Sequence, residues 1–232
     1  MLEAYFSLNE KYYDDHDGRD AVFGYTEMSN VAMLATACWQ QGRPAIVEYQ
    51  EHKYKGKLDR KDKRKHYKLG RVDLYFGRGS SEFVCEAKQH FTRKASLDEK
   101  RLLERLFKAY KDVLQTSRDG KTFLPGYALV FVPHLMAKEV AKDAAKLAGF
   151  QEKLHESAAS LLWGEPNRPR RRTHPNQRKE ADYIDGYGTY FLDKPIKKWA
   201  GSMRLAGVTV LLRRCRAENL EKYNEPPEGD CN

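Results

Sequence analysis

The first clear periodicity in the chain predicts a helix over about residues 27–41. Thr26 stands before this segment as an N-cap, and Gly42 follows it as a stop signal. The apolar positions repeat at i, i+3, i+4 and i+7, so they lie on one face: Val31, Leu34, Ala35 and Cys38. We therefore expect an amphipathic helix whose apolar stripe packs on a core.

The next segments have the apolar runs and alternation of strands. Residues 45–50 (AIVEYQ), 71–76 (RVDLYF) and 82–88 (EFVCEAK) predict three strands, and GRGSS joins the last two as a turn. Residues two apart in a strand share a face. We therefore expect one face to be apolar, formed by Val72, Leu74, Phe76, Phe83, Cys85 and Ala87. The opposite face would carry Asp73, Glu86 and Lys88.

The remaining pattern completes an α/β fold with a mixed sheet flanked by helices. Ser96 and Glu99 form a capping box before a helix that extends to about residue 117. The run YALVFV after Gly126 is typical of a strand covered on both faces. A long helix is predicted over about residues 138–163, a loop over 164–180 and a last strand in VTVLLRRCR, whereas residues 1–25 show no clear periodicity.

The charge of the chain is concentrated in two segments. The net charge is +9, and residues 53–71 contain ten Lys or Arg against two Asp. Residues 168–179 contain six basic residues and no acid. Such blocks suit contacts with a phosphate backbone, although a solvated loop is the alternative. The candidate nucleic-acid-binding residues are Lys61, Lys63, Arg64, Lys65, Lys68, Arg71, Arg170, Arg171 and Arg172.

Composition argues against several other classes of protein. The mean hydropathy is −0.79 and no apolar run approaches 18 residues, so we expect no membrane partner. The N-terminus lacks the pattern of a secretory signal. The four cysteines are scattered, which favours neither a zinc site nor a disulfide framework. We expect a cytoplasmic protein; the sequence leaves its oligomeric state open.

The strand pattern also places a set of chemical groups together. If the two strands form a hairpin, Asp73 and Glu86 converge on one face beside Lys88. Two carboxylates and a backbone carbonyl, that of Ala87, provide hard oxygen ligands for Mg²⁺ or Mn²⁺. The lysine ammonium can orient a water molecule and neutralise charge that develops on a phosphate. The alternative is an exposed strand face with an ordinary ion pair.

The string GRVDLYF followed by EAK resembles the PD-(D/E)XK nuclease superfamily. Asp73 matches the motif aspartate, Glu86-Ala87-Lys88 matches (D/E)-x-K, and Val72 replaces the motif proline. The resemblance covers about residues 26–135 and implies a restriction-endonuclease-like αβββαβ core. Residues 136–232 would be a C-terminal elaboration of one domain that spans residues 1–232.

The family often adds a glutamate from the helix before the sheet. Glu27 lies four residues before Val31 on the apolar stripe, so it is our candidate for this additional metal ligand. A first-turn acid that interacts favourably with the helix dipole is the alternative role for Glu27. Glu48 on the first strand is the rival candidate.

The function we expect is that of a Mg²⁺-dependent nuclease acting on nucleic acid, with DNA favoured. Two alternatives stay open. One is a nucleic-acid-binding protein that keeps the fold and has no cleavage activity. The other is a phage- or mobile-element-related defence or counter-defence factor that acts through protein contacts.

Overall fold

A computed structural model describes residues 1–54, 67–118, 122–162, 184–200 and 202–215. The helices are α1 (Leu2–Asp15), α2 (Glu27–Gln40), α3 (Glu99–Leu114), α4 (Lys138–Ala141) and α5 (Ala144–Ala159), with a short 3₁₀ turn at Val22–Gly24. The strands are β1 (Ala45–Tyr54), β2 (Tyr67–Arg78), β3 (Ser81–Gln89), β4 (Thr116–Arg118), β5 (Thr122–Phe123), β6 (Gly126–Ala137), β7 (Gly186–Ala200) and β8 (Met203–Cys215).

The strands form one mixed sheet in the order β5-β4-β1-β2-β3-β6-β8-β7. Six of the strands are long, and β4 and β5 are short additions at one edge. The pair β3–β6 is parallel, and α3 connects its two strands; the other neighbouring pairs are antiparallel. The predicted α/β class with a mixed sheet flanked by helices is confirmed.

Two separate cores lie on the two faces of this sheet. The α2-side core packs α1 and α2 on the sheet, with Tyr5 and Leu34 against Phe131. The α3-side core packs α3 and α5 on the other face, with Leu106 and Leu154 against Val130. Because β6 contributes to both cores, it is covered on both faces, as its apolar run predicted.

Helix α2 forms where the sequence predicted it. The Thr26 side chain accepts a hydrogen bond of 3.1 Å from the Ser29 N–H, and Gly42 takes a φ of +69° just beyond the end. All four residues of the predicted stripe are buried: Val31, Leu34, Ala35 and Cys38. The cap thus places Glu27 in the first turn of this helix.

Two predicted helix boundaries are wrong because an aspartate caps the helix elsewhere. The segment predicted as one helix over 138–163 is split into α4 and α5, since Asp143 accepts hydrogen bonds of 3.1 Å from the N–H groups of Ala145 and Lys146. Similarly, Asp98 caps α3 in place of Ser96, by accepting from the Arg101 N–H.

The sequence did not predict α1 or β7. Helix α1 buries only Tyr5, Asn9 and Tyr13, a stripe too sparse to stand out from its polar surroundings. Strand β7 pairs with β8 in a register that shifts twice, so its alternation is irregular. Both β7 and β8 extend the same sheet as the predicted core strands. No helix in the described ranges is long and apolar enough to cross a membrane.

One predicted strand face is also wrong. Leu74 and Phe76 lie in the α2-side core with Cys85 and Ala87, as expected, and Phe83 packs against it. Val72 lies instead in the α3-side core. Regular alternation would keep Val72 on the face of Leu74. Strand β2 is therefore irregular between these two positions, which is where Asp73 stands.

Candidate active site

Strands β2 and β3 separate at Asp73 and Glu86. Within the described residues, their antiparallel pairing runs from the turn to Leu74 opposite Cys85 and ends there. Beyond Cys85, β3 continues beside β6 as far as Gln89. The Oδ2 atom of Asp73 accepts a hydrogen bond of 2.7 Å from the Ala87 N–H, which links the two strands across the opening. The motif residues thus line the fork between the strands.

The neighbouring strand β1 is distorted at the same level. The pairs Val47–Leu74 and Tyr49–Val72 place Glu48 opposite Asp73. Glu48 has a φ of +51°, a left-handed conformation that costs an L residue about 1–2 kcal/mol. The left-handed residue thus lies opposite the position where β2 changes face, and the Asp73 side chain there reaches β3.

Glu86 is a buried carboxylate that contacts a lysine from another strand. Its side chain is only 4% exposed, and its Oε1 atom accepts a hydrogen bond from Lys53 Nζ on β1. Burial raises the pKa of Glu86 to about 7, the Lys53 ammonium opposes that rise, and repulsion from Asp73 adds to it. The charge of Asp73 therefore acts on Glu86 directly.

Lys88 and Glu27 meet on the α2 side of the fork. Lys88 Nζ donates a hydrogen bond of 2.5 Å to the Ala87 carbonyl and lies 3.8 Å from Glu27 Oε1. Burial raises the pKa of Glu27, the Lys88 ammonium lowers it, and the Asp73 carboxylate raises it further. The Gln89 N–H donates to the same carboxylate. Glu27 thus belongs to the Asp73 cluster.

The rival carboxylate has a different environment. Glu48 is about half exposed and forms an ion pair of 3.2 Å with Arg71. Arg71, a candidate for nucleic-acid binding, is itself mostly exposed. Glu27 therefore lies beside Lys88, whereas Glu48 lies on β1 opposite Asp73 and contacts Arg71.

Most of the candidate nucleic-acid-binding residues lie outside the described residues: Lys61, Lys63, Arg64, Lys65, Arg170, Arg171 and Arg172. The backbone of Lys68 lies in β2 opposite Lys53. Tyr54 and Tyr67 are paired at the end of the β1–β2 hairpin, so residues 55–66 continue from that end.

Two basic residues near the site were not predicted as site residues. Lys53, which contacts Glu86, is indistinguishable in the sequence from the other lysines of the basic run. Arg105 is exposed on α3, and its charge opposes the burial that raises the pKa of Glu27. The pKa of His90 is lowered mainly by burial, and Arg105 adds to this effect. No local sequence pattern marks Lys53 or Arg105, because each interacts with a residue from a distant part of the chain.

Asp73, Glu86 and Ala87 each have an oxygen atom that already accepts a hydrogen bond. Among the described residues, no group of three or more His, Cys, Asp or Glu side chains is placed to hold a metal ion. Asp73 Oδ2 accepts from the Ala87 N–H, the Ala87 carbonyl accepts from Lys88, and Glu86 accepts from Lys53. As metal ligands these groups are nevertheless of the type that a hard divalent cation binds, since all are carboxylate or carbonyl oxygens. A cation would replace the ammonium groups that these oxygens now bind.

Comparisons with protein-family models, with curated proteins and with solved structures found no match to this chain.

Proposed function

We propose that this chain is a metal-dependent nuclease of the PD-(D/E)XK type with a restriction-endonuclease-like core, and that DNA is its substrate. The observation that carries the proposal is the cluster of Asp73, Glu86 and Lys88 at the fork between β2 and β3, with Glu27 beside it. The order α2, β1, β2, β3, α3 and β6 supports it, because, apart from the short strands β4 and β5 between α3 and β6, it is the order that the resemblance implied.

The proposed ligands for Mg²⁺ or Mn²⁺ are Asp73, Glu86, the Ala87 carbonyl and Glu27. A cation held there would polarise a phosphodiester oxygen and make a bound water more acidic. Lys88 would orient the attacking water and stabilise negative charge on the phosphate. Its ammonium lies between the Ala87 carbonyl and Glu27, two of the proposed ligands, and this proximity supports these roles.

The second candidate is a nucleic-acid-binding protein that keeps the fold without cleavage. The observation in its favour is that Glu86 and the Ala87 carbonyl already bind lysine ammonium groups. In such a protein, Lys53 and Lys88 would replace the metal permanently. Cleavage activity separates the two candidates.

The test is incubation of the purified protein with linear, circular and single-stranded DNA and with RNA, in Mg²⁺, Mn²⁺ or EDTA. We expect cleavage of DNA that requires the divalent cation. Asp73→Ala and Lys88→Ala should lower the rate by about 100-fold or more while the fold is kept, because the first removes a proposed metal ligand and the second a group that would act on the reacting phosphate. The exposed residue Glu104 provides a matched control, Glu104→Gln.

Wild-type cleavage rates for Asp73→Ala would show that the site is elsewhere. Nucleic-acid binding without cleavage under any of the metal conditions would select the second candidate. Circular dichroism and thermal unfolding of each variant show whether a loss of activity reflects loss of the fold.

A further inference from the structure

Lys53 passes across a strand to reach Glu86. It lies near the end of β1, whereas Glu86 lies on β3, and β2 separates these two strands in the sheet. The Lys53 ammonium donates to Glu86 Oε1, and the two side chains are only 17% and 4% exposed. The contact is therefore a largely desolvated ion pair between strands that are not neighbours.

Gly70 on β2 leaves room for this side chain. A Cβ atom at Gly70 would lie 3.0 Å from Lys53 Cδ and 3.1 Å from Lys53 Cγ, which is closer than normal packing. The aliphatic part of Lys53 therefore occupies the space that a side chain at position 70 would fill. Gly70 keeps this path towards Glu86 open.

Burial makes a positive charge beside Glu86 necessary. An ionised carboxylate taken out of water is costly unless a cation compensates it. In the described structure Lys53 supplies that charge through Oε1. A divalent cation coordinated by Glu86 would need the same carboxylate, and it would repel an ammonium group at that distance. The two cations would therefore compete for the same carboxylate.

We propose that Lys53 is the internal counter-ion of the metal site: it holds Glu86 in the absence of metal and is displaced when a divalent cation binds. The inference rests on the proposed metal-dependent function. Lys53 is a positioning residue in this scheme, since it acts through Glu86. Its role is to set the affinity of the site for the cation.

The test is calorimetric titration of the full, metal-stripped chain with Ca²⁺ at pH 8.5, without nucleic acid. Lys53→Met should bind Ca²⁺ about tenfold more tightly than wild type, because a competing positive charge is removed. Lys53→Arg, which keeps the charge, should stay near wild type. Gly70→Val should also tighten binding, because it keeps Lys53 and obstructs its path to Glu86.

Two control variants isolate the effect. Lys100→Met removes one exposed lysine from α3 and should leave Ca²⁺ affinity unchanged. Lys53→Met combined with Glu86→Gln should lose the gain, because the carboxylate released by the first change is removed by the second. Thermal unfolding shows whether each variant folds. If Lys53→Met does not fold, Gly70→Val tests the same competition without a change of charge.

The outcomes separate this inference from the proposed function. If wild type binds Ca²⁺ as tightly as Lys53→Met and Gly70→Val do, or more tightly, the role of Lys53 is overturned and the metal site stands. Absence of Ca²⁺ binding from wild type and from both variants would overturn the metal site and the role of Lys53 together.

Discussion

At the scale of single residues, the site is defined by what each charged group contacts. Glu86 accepts a hydrogen bond from Lys53, and Asp73 accepts one from the Ala87 N–H. Lys88 donates to the Ala87 carbonyl and forms an ion pair with Glu27. The motif residues are therefore held in place by one another. Burial is the main cause of the raised pKa of Glu86 and of Glu27. Repulsion from the Asp73 carboxylate raises both pKa values further, so the titrations of the three groups are coupled.

Glu86 should make the metal-free protein less stable as pH rises. Burial is the main cause of its pKa of about 7, above the ordinary value of 4.5. Between these values the folded state binds more protons than the unfolded state, so the free energy of unfolding falls with increasing pH. The loss from this one group is at most about 3 kcal/mol. Urea denaturation in EDTA at pH 4.5, 6 and 7.5 measures it.

The matched variant for this prediction is Glu86→Gln. It should show a smaller loss of stability over the same pH range, since the group that titrates is absent. Glu104→Gln, an exposed change on α3, serves as the control. A constant difference between wild type and Glu86→Gln at all three pH values would contradict the prediction.

Glu27→Gln should weaken metal binding and lower cleavage activity, and excess Mn²⁺ should partly restore the activity. The reason is that Glu27 lies beside Lys88 and the Asp73 charge, where a carboxylate can join the ligand set. The measurement is the rate of cleavage as a function of metal concentration. Glu48→Gln is the matched control, because Glu48 pairs with the exposed Arg71. Equal metal dependence in the two variants would return Glu27 to a helix-terminus role.

At the scale of elements, the site depends on three local features. The N-cap of α2 presents Glu27, the hairpin turn with Gly79 at a φ of +60° aligns β2 with β3, and the parallel partner β6 holds β3 beyond the fork. The fork forms where β2 and β3 stop pairing with each other: beyond it, β3 stays paired with β6 and β2 stays paired with β1. No single element contains the site.

Thr26→Ala should destabilise the protein by about 1 kcal/mol, because it leaves the Ser29 N–H without its capping partner. It should also weaken metal binding, since the first turn of α2 carries Glu27. Thr36→Ala on the same helix is the matched control: its hydroxyl donates to the Ala32 carbonyl in the helix interior and caps nothing. Urea denaturation and Ca²⁺ titration of both variants measure the two effects. Equal stability of the two variants would show that the cap contributes nothing.

At the scale of the whole molecule, the sheet unites parts of the chain that are distant in sequence. Strands β7 and β8 come from the predicted C-terminal elaboration: β8 pairs with β6, β7 pairs with β8, and both enlarge the cores. The basic run between β1 and β2 starts beside the residues that reach the site, since Lys53 contacts Glu86.

Replacing Lys61, Lys63, Arg64 and Lys65 by Gln should weaken nucleic-acid binding equally for different sequences and flatten its salt dependence. Each lost phosphate contact should reduce the slope of log K against log salt by about 0.9 on duplex DNA. The measurement is a salt titration in a Lys88→Ala background on two unrelated duplexes. Metal affinity should stay unchanged, because these residues are not ligands.

The matched control replaces four basic residues on α4, on α5 and between them: Lys138, Lys142, Lys146 and Lys153. This set removes the same charge from another part of the surface. An unchanged slope for the first set would mean that residues 61–65 are a solvated surface, and residues 168–179 would then be tested as the binding segment.

The local features were accessible from the sequence because they depend on neighbours in the chain. The stripe and cap of α2, the strand alternation around Glu86, the turn at Gly79 and the doubly covered run of β6 all follow from such patterns. The candidate residues Asp73, Glu86 and Lys88 followed from the same alternation together with the chemistry of their side chains. These patterns are local; the strand alternation fails at Asp73, where Val72 and Leu74 lie in different cores.

Tertiary structure alone decided the rest. Helix α1 and strand β7 gain their stability from packing and pairing with distant segments, so their own periodicity is weak. The change of face at Asp73 lies opposite Glu48, whose backbone is left-handed, and no alternation rule contains it. The contact of Lys53 with Glu86 requires three strands in register and a glycine between them. Burial strengthens the attraction between these two charges, and burial is a property of the folded chain.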